Sequence, residues 1–184
     1  DAAADRAAHQ AATEAAIATA LAAAAAAKTP SSSSSSSSST DDCIDPADVE
    51  LLNKIGQGAF GTVKRASYQG SVAAAKIVNL GGFTQSERVK MFADFKKELA
   101  IMASLKSPRV VRFFGWYEIG DLLVFIMEHV PEGDVREMLD AHAAEGKAFN
   151  EAHWKLTRRL THEAAEGLRY LISKGLFHRD LKLF

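Results

Sequence analysis

Ile55-Gly56-Gln57-Gly58-Ala59-Phe60-Gly61-Thr62-Val63 sets three glycines in a G-x-G-x-x-G-x-V pattern. Glycine has no Cβ, so backbone at these positions can approach a phosphate chain where a side chain would collide. The same spacing occurs in dinucleotide-binding βαβ units, where the glycines lead into a helix. Here they lead into Thr62–Tyr68, which reads as a strand. That context, and the lack of βαβ alternation, disfavours an NAD-binding oxidoreductase. Taken in isolation, a glycine-rich hairpin with no ligand is a competing reading of the stretch.

Outward from the glycines the pattern stays β. Val49–Ile55, Gly61–Tyr68 and Val72–Val78 are short strand-like segments, and Gln69-Gly70 and Gly81-Gly82 are turn signals. Thr84 and Glu87 stand at capping-box spacing. Phe92, Phe95, Leu99 and Met102 then recur on one face of a helix. Beyond Pro108, Val110–Tyr117 and Leu122–Glu128 read as two more strands, and Asp134–His142 as a short helix. Glu151–Lys174 is a long helix with Leu160, Ala164, Leu168 and Leu171 on one face and Gly175 past its end.

The chain has 184 residues, enough for one compact domain and a tail, and a formal net charge of −1. Its 47% hydrophobic fraction is inflated by Ala, which supplies 17 of the first 27 residues. Residues 1–48 carry seven acids and two bases, and residues 49–184 carry sixteen acids and twenty bases. Composition and charge shift together, which places a boundary near Pro46 to Val49. Residues 1–28 are read as fluctuating helix, and the run Ser31–Ser39 as a flexible linker that buries too little apolar surface to order. The expected organisation is a low-complexity tail over 1–48, a sheet-and-helix lobe over 49–130 and a helical part over 131–184. The near-neutral balance argues against a general nucleic-acid binder. No run reaches the roughly 20 apolar residues of a membrane span. The single cysteine, Cys43, excludes an intramolecular disulfide framework and points to a reducing, cytoplasmic setting. The first residue is Asp, so tethering upstream of residue 1 stays open.

Two further stretches bear on chemistry. Lys76, in Ala73-Ala74-Ala75-Lys76-Ile77-Val78, sits in an apolar strand fifteen residues after Gly61. An ammonium there needs phosphate oxygens, a carboxylate or a route to water. Glu98, beside the apolar face of the first helix, is the candidate carboxylate. His178-Arg179-Asp180-Leu181-Lys182 follows the long helix. An Asp near a transferable proton can orient a hydroxyl, and a nearby Lys can neutralise charge on a phosphoryl group.

In this order and spacing, residues 49–184 resemble the first half of a eukaryotic protein kinase domain, whose signature is a glycine-rich loop, a strand Lys, a helix Glu and an H-R-D loop. The resemblance implies a two-lobed α+β kinase fold: a five-stranded antiparallel sheet with one large helix, then the first helices of a larger lobe, with ATP in the cleft under Gly56–Gly61. Gly56, Gly58 and Gly61, with Ala59 and Phe60 between them, would cover the phosphates. Ile55, Val63 and Ala74 would contact adenine. Lys76 would hold phosphates and pair with Glu98. Met127 aligns with the gatekeeper position, Glu128 and Val130 with the hinge, and Asp134 with a ribose contact. Asp180 would orient the acceptor hydroxyl and Lys182 would meet the γ-phosphate. His178 would support the loop and Arg179 would be available to a phosphorylated activation loop. Asp180-Leu181-Lys182 is similar to Ser/Thr kinases, so the implied partner is a protein with a Ser/Thr acceptor. Tyr68–Val72 and Val110–Gly115 are similar to the tyrosine-kinase-like group.

Two departures stand out. Ser107-Pro108-Arg109-Val110-Val111 replaces a commoner His-Pro-Asn-Ile-Val and is expected to alter loop packing, not chemistry. Family spacing also puts the metal-binding Asn immediately after Phe184, with the Asp-Phe-Gly ligand and activation loop beyond it. The expectation is therefore that ATP and Mg2+ are the cofactors, that no metal ligand lies in these 184 residues, and that this chain alone is a fragment not competent for transfer. It is also expected to expose apolar surface on its long helix. The alternative is a kinase-like module that binds ATP or a partner without catalysis.

Overall fold

The computed structural model describes residue 15 and residues 42–58, 61–144 and 150–182. The readings of residues 1–28 and of the Ser run lie outside the described residues. The chain divides into two compact units: one runs to Ser104 and resumes over Phe113–His129, and the other joins Leu105–Arg112 to the residues from Val130 onward.

In the first unit, a 3-10 turn over Pro46–Asp48 leads into β1 (Val49–Gly58), β2 (Gly61–Tyr68) and β3 (Ser71–Asn79). Helix α1 (Gln85–Ser104), β4 (Phe113–Ile119) and β5 (Leu122–Glu128) follow. The strands form one sheet of order β1-β2-β3-β5-β4, and every neighbouring pair is antiparallel. Leu122–Ile126 of β5 are buried on both faces of the strand, as its near-continuous apolar run requires of an interior strand.

One face of the sheet is covered by α1. Phe92, Phe95 and Met102 pack with buried Leu99 against Leu80, Phe113, Leu123 and Phe125. The Phe92 and Trp116 rings meet edge to face at 5.8 Å, and Phe95 and Phe125 lie at 5.6 Å. The other face gathers Ala66, Ala73, Ala75, Ile77, Tyr117, Val124 and Ile126 with Ile44, which precedes β1. Helix α1 starts at the capping box read from sequence. The Glu87 carboxylate accepts from the Thr84 N–H at 2.8 Å and the Thr84 hydroxyl at 2.7 Å, and the Glu87 N–H donates back to that hydroxyl at 3.4 Å. These bonds hold the Glu87 carboxyl below its ordinary value.

In the second unit, α2 (Val135–His142) is capped by Asp134, whose Oδ1 accepts from the Glu137 N–H at 2.8 Å. Helix α3 (Glu151–Ser173) is capped by Asn150, whose Oδ1 accepts from the His153 N–H at 2.9 Å. Gly175, at φ +74°, ends it as its position in sequence implied. The segment Leu105–Arg112 is tied to α3. The Lys106 N–H donates to the Tyr170 hydroxyl at 2.8 Å, and Arg109 meets Glu163 and Glu166, each at 3.1 Å.

Two local expectations need correction. The fourth strand begins at Phe113, not Val110. Residues 110–112 belong with the segment held by α3, so they are not free to extend the ladder. The first strand continues past Ile55 to Gly58. On α3, Ala164 is exposed, and the buried position is Gly167, over which the Arg109 backbone passes. Trp154 and Ile172 on α3 are 60% and 59% exposed, in line with the expected apolar surface on this helix.

Candidate functional site

The sheet register builds the first part of the site. Gly56 faces Val63, Val63 faces Lys76, and Lys76 faces Phe125 across successive strands. Directly opposed residues of an antiparallel pair project from the same face. Val63 and Lys76 therefore share a face with Phe125, the face that α1 covers. Ala74 faces Met127, and Met127 faces Phe113, so this second row projects from the same side. Glu128 faces Ala73 and belongs to the opposite side. Four of the residues singled out in sequence, Val63, Ala74, Lys76 and Met127, are thus brought onto one surface by strand pairing alone.

The three glycines of the motif serve different ends. At Gly61 an added Cβ would lie 2.0 Å from the Ile77 carbonyl oxygen, and φ is +147°. Glycine is required there by the neighbouring strand. At Gly56 the nearest atom to an added Cβ is the Val63 Cβ at 3.6 Å, an ordinary contact. Nothing in the described protein forbids a side chain at Gly56, so the space above it is left open by choice of residue. Gly58 faces Gly61 at the hairpin end. Ala59 and Phe60 lie outside the described residues. Thr62 is fully buried and its hydroxyl donates to Gln57 Oε1 at 3.0 Å, pinning the strand pair beside the glycines. Sequence reading did not pick out Thr62, and the alternation of β2, with Lys64 two residues on, gives no signal that it is buried.

Lys76 is half-buried. Glu98 is exposed on α1, beside buried Leu99. Among the described residues no ion pair within 4.0 Å joins Lys76 to Glu98. A half-buried ammonium without a carboxylate is a group that an anionic ligand satisfies. Ile55 is 44% exposed.

The second unit carries the remaining residues. Asp180 and Lys182 are both exposed and form an ion pair at 3.2 Å. The Asp180 N–H reaches His178 Nδ1 at 3.4 Å, and Arg179 between them adopts φ +59°. A non-glycine residue in this left-handed region costs about 1 kcal/mol or more and marks a loop whose shape is held against local preference. His178 thus bonds the backbone of its own loop. Asp134 has its carboxylate engaged at the α2 N-terminus, and Val130 is 50% exposed.

Residues 49–183 match the family model described as protein kinase domain. This chain belongs to the protein kinase family. The kinase is similar to the serine/threonine-protein kinase RAD53 of Saccharomyces cerevisiae, at 30% identity over 138 residues. That match covers 73% of this chain and 15% of RAD53. It is also similar to the serine/threonine-protein kinase CTR1 of Arabidopsis thaliana, 33% identical over 137 residues, covering 73% of this chain and 16% of CTR1. A third relative, the serine/threonine/tyrosine-protein kinase HT1 of Arabidopsis thaliana, is 28% identical over 138 residues, 75% of this chain and 34% of HT1. The chain therefore spans a minor part of the length of each of these relatives. Protein kinase domains use ATP and a divalent metal. No helix among the described residues is long and apolar enough to cross a membrane.

Proposed function

We propose that this kinase transfers the γ-phosphate of ATP to Ser or Thr hydroxyls of a protein. The observation that carries the reading is the cross-strand row that places open Gly56, Val63 and half-buried, unpaired Lys76 in register. In this reading the backbone around Gly56, Gly58 and Gly61 lies against the phosphates, and the family resemblance assigns Ala59 and Phe60 to the same stretch. Lys76 donates to phosphate oxygens, and pairing with Glu98 would hold it there during transfer. Val63 and Ala74 contact the adenine ring with Ile55. The family resemblance assigns Met127, Glu128 and Val130 to its edge and Asp134 to the ribose. Asp180 orients the acceptor hydroxyl and receives its proton, and Lys182 screens the charge on the transferred group. The Asp180–Lys182 ion pair already keeps these two groups together. Ser/Thr selectivity is supported by Asp180-Leu181-Lys182 and by the relatives RAD53 and CTR1, both named as serine/threonine-protein kinases.

A divalent metal supplies charge neutralisation on the ATP phosphates when bound. Among the described residues no cluster of three or more His, Cys, Asp or Glu forms a metal site, so no residue here is assigned to it. The unformed Lys76–Glu98 pair favours a second reading, a module that binds ATP without transferring phosphate.

The test is an ATP titration of this chain, followed by a transfer assay on a Ser/Thr peptide with the full-length protein. Binding weakened about ten-fold or more by Lys76→Met supports the nucleotide site, as loss of a charged hydrogen bond implies. Transfer abolished by Asp180→Asn supports the kinase reading. Binding without transfer supports the module, and ATP affinity unmoved by Lys76→Met overturns the site.

A further inference from the structure

The segment ahead of the family match is built into the fold. The Ile44 N–H donates to the Trp116 carbonyl at 2.8 Å, and the Trp116 N–H donates to the Asp42 carbonyl at 2.9 Å. Cys43 thereby forms a parallel bridge with Trp116 on the free edge of β4. The Ile44 side chain is 7% exposed and lies in the core of the sheet face opposite α1. Gly115, at φ +150°, is shaped to this segment: an added Cβ would lie 2.4 Å from the Asp42 carbonyl oxygen and 2.6 Å from Ile44 Cγ1. Asp45 then caps the 3-10 turn at Pro46–Asp48, its Oδ1 accepting from the Ala47 N–H at 2.9 Å, and the chain enters β1 at Val49.

These contacts join opposite edges of one sheet. β4 is one edge strand and β1 is the other. In a flat sheet the added segment would lie five inter-strand spacings from β1, about 24 Å. The five steps from Ile44 to Val49 reach about 17 Å when fully extended, and the 3-10 turn shortens them. Both ends can be held only if the sheet curls, with Ile44 inside the curl.

We propose that residues 42–48 are a strap that fastens the β4 edge to the start of β1, with Ile44 as its anchor, and that the strand carrying Gly56 and Gly58 depends on it. The strap seals the face of the sheet opposite α1, and removing it frees both edges together. A change at Ile44 is therefore felt at β1 as well as at β4.

Single-residue hydrogen exchange on the full chain tests this, comparing wild type with Ile44→Val and Ile44→Asp. Under the strap, the amides of Trp116 and of Leu51 in β1 exchange faster in the order wild type, Val, Asp. The wild-type and Asp rates at Trp116 differ by about ten-fold or more, while Val124 in the interior strand stays protected. Loss of protection at Val124 in the Asp variant also supports the anchor, since a residue of a loose tail would not unfold the sheet, and the Val variant then reports the order. Equal rates at Trp116 and Leu51 in all three chains overturn the strap. So does a Trp116 amide that exchanges faster in the variants with an unmoved Leu51, because the edge would then be covered without being fastened to β1.

Discussion

Gly56 and Gly61 belong to one motif, yet the structure separates their reasons for being glycine. An Ala at Gly61 must push a methyl into the Ile77 carbonyl from a backbone angle that L-residues avoid. The Gly61→Ala chain is expected to lose about 3 kcal/mol or more of stability, read from chemical denaturation. An Ala at Gly56 meets only Val63 at ordinary contact distance. Stability should then change by about 0.5 kcal/mol or less, while ATP affinity falls about ten-fold if phosphates lie over it. An Ala at Gly56 that unfolds the chain would show that the glycine is structural as well. Tyr117 supplies a second test at this scale. It lies in the core, and burial pushes its phenol up to about 12. The neutral form is favoured in the folded state, so its contribution is fully present below about pH 10, the unfolded value, and is lost as pH rises toward 12. The Tyr117→Phe chain should show a shallower fall in melting temperature over that range. Parallel curves for the two chains would remove Tyr117 as the cause.

At the scale of elements, pairing carries the site and capping fixes the helices. β2 and β5 have the bounds that sequence alone suggested, because turn residues flank each run. Val63, Ala74, Lys76 and Met127 could not be placed on one face without register, which is set by pairing between segments far apart in the chain. The capping box at Thr84 was legible because both partners are local. The start of β4 was not, because Val110 and Val111 look like strand residues and only the tie to α3 withdraws them. Arg109 makes that tie. It replaces the Asn common in the family and spans Glu163 and Glu166 at about a third exposure. Arg109→Ala is expected to cost about 1 kcal/mol at low salt, as partly exposed pairs do, with most of the difference gone in about 1 M salt. A loss that persists in salt would mean that the charges are not its main source.

The whole molecule is uneven in where its stability lies. Every buried apolar side chain among the described residues belongs to the first unit, from Ile44 to Ile126. In the second unit the one buried position among the described residues is Gly167. Its helices are held by caps, by the Tyr170 hydroxyl and by the Arg109 ion pairs. Exposed apolar surface on α3 was expected from the family resemblance, but periodicity alone does not show the imbalance, since Leu160, Leu168 and Leu171 on α3 look as much like core as Phe92 and Leu99 on α1. What differs is the tertiary cover, which periodicity does not record. Ile44 was missed for the opposite reason: one apolar residue among acids has no period, and only its place against Gly115 makes it core. A chain of residues 42–129 alone should therefore melt in a single cooperative transition. In it the Lys106 amide, deprived of the Tyr170 hydroxyl, should exchange freely while Val124 stays protected. A chain of residues 130–184 alone should show helical circular dichroism that declines without a cooperative step, because isolated helices without a packed face are marginal in water. A sharp transition in residues 130–184, or none in 42–129, would reverse the assignment of where residues 42–184 keep their core.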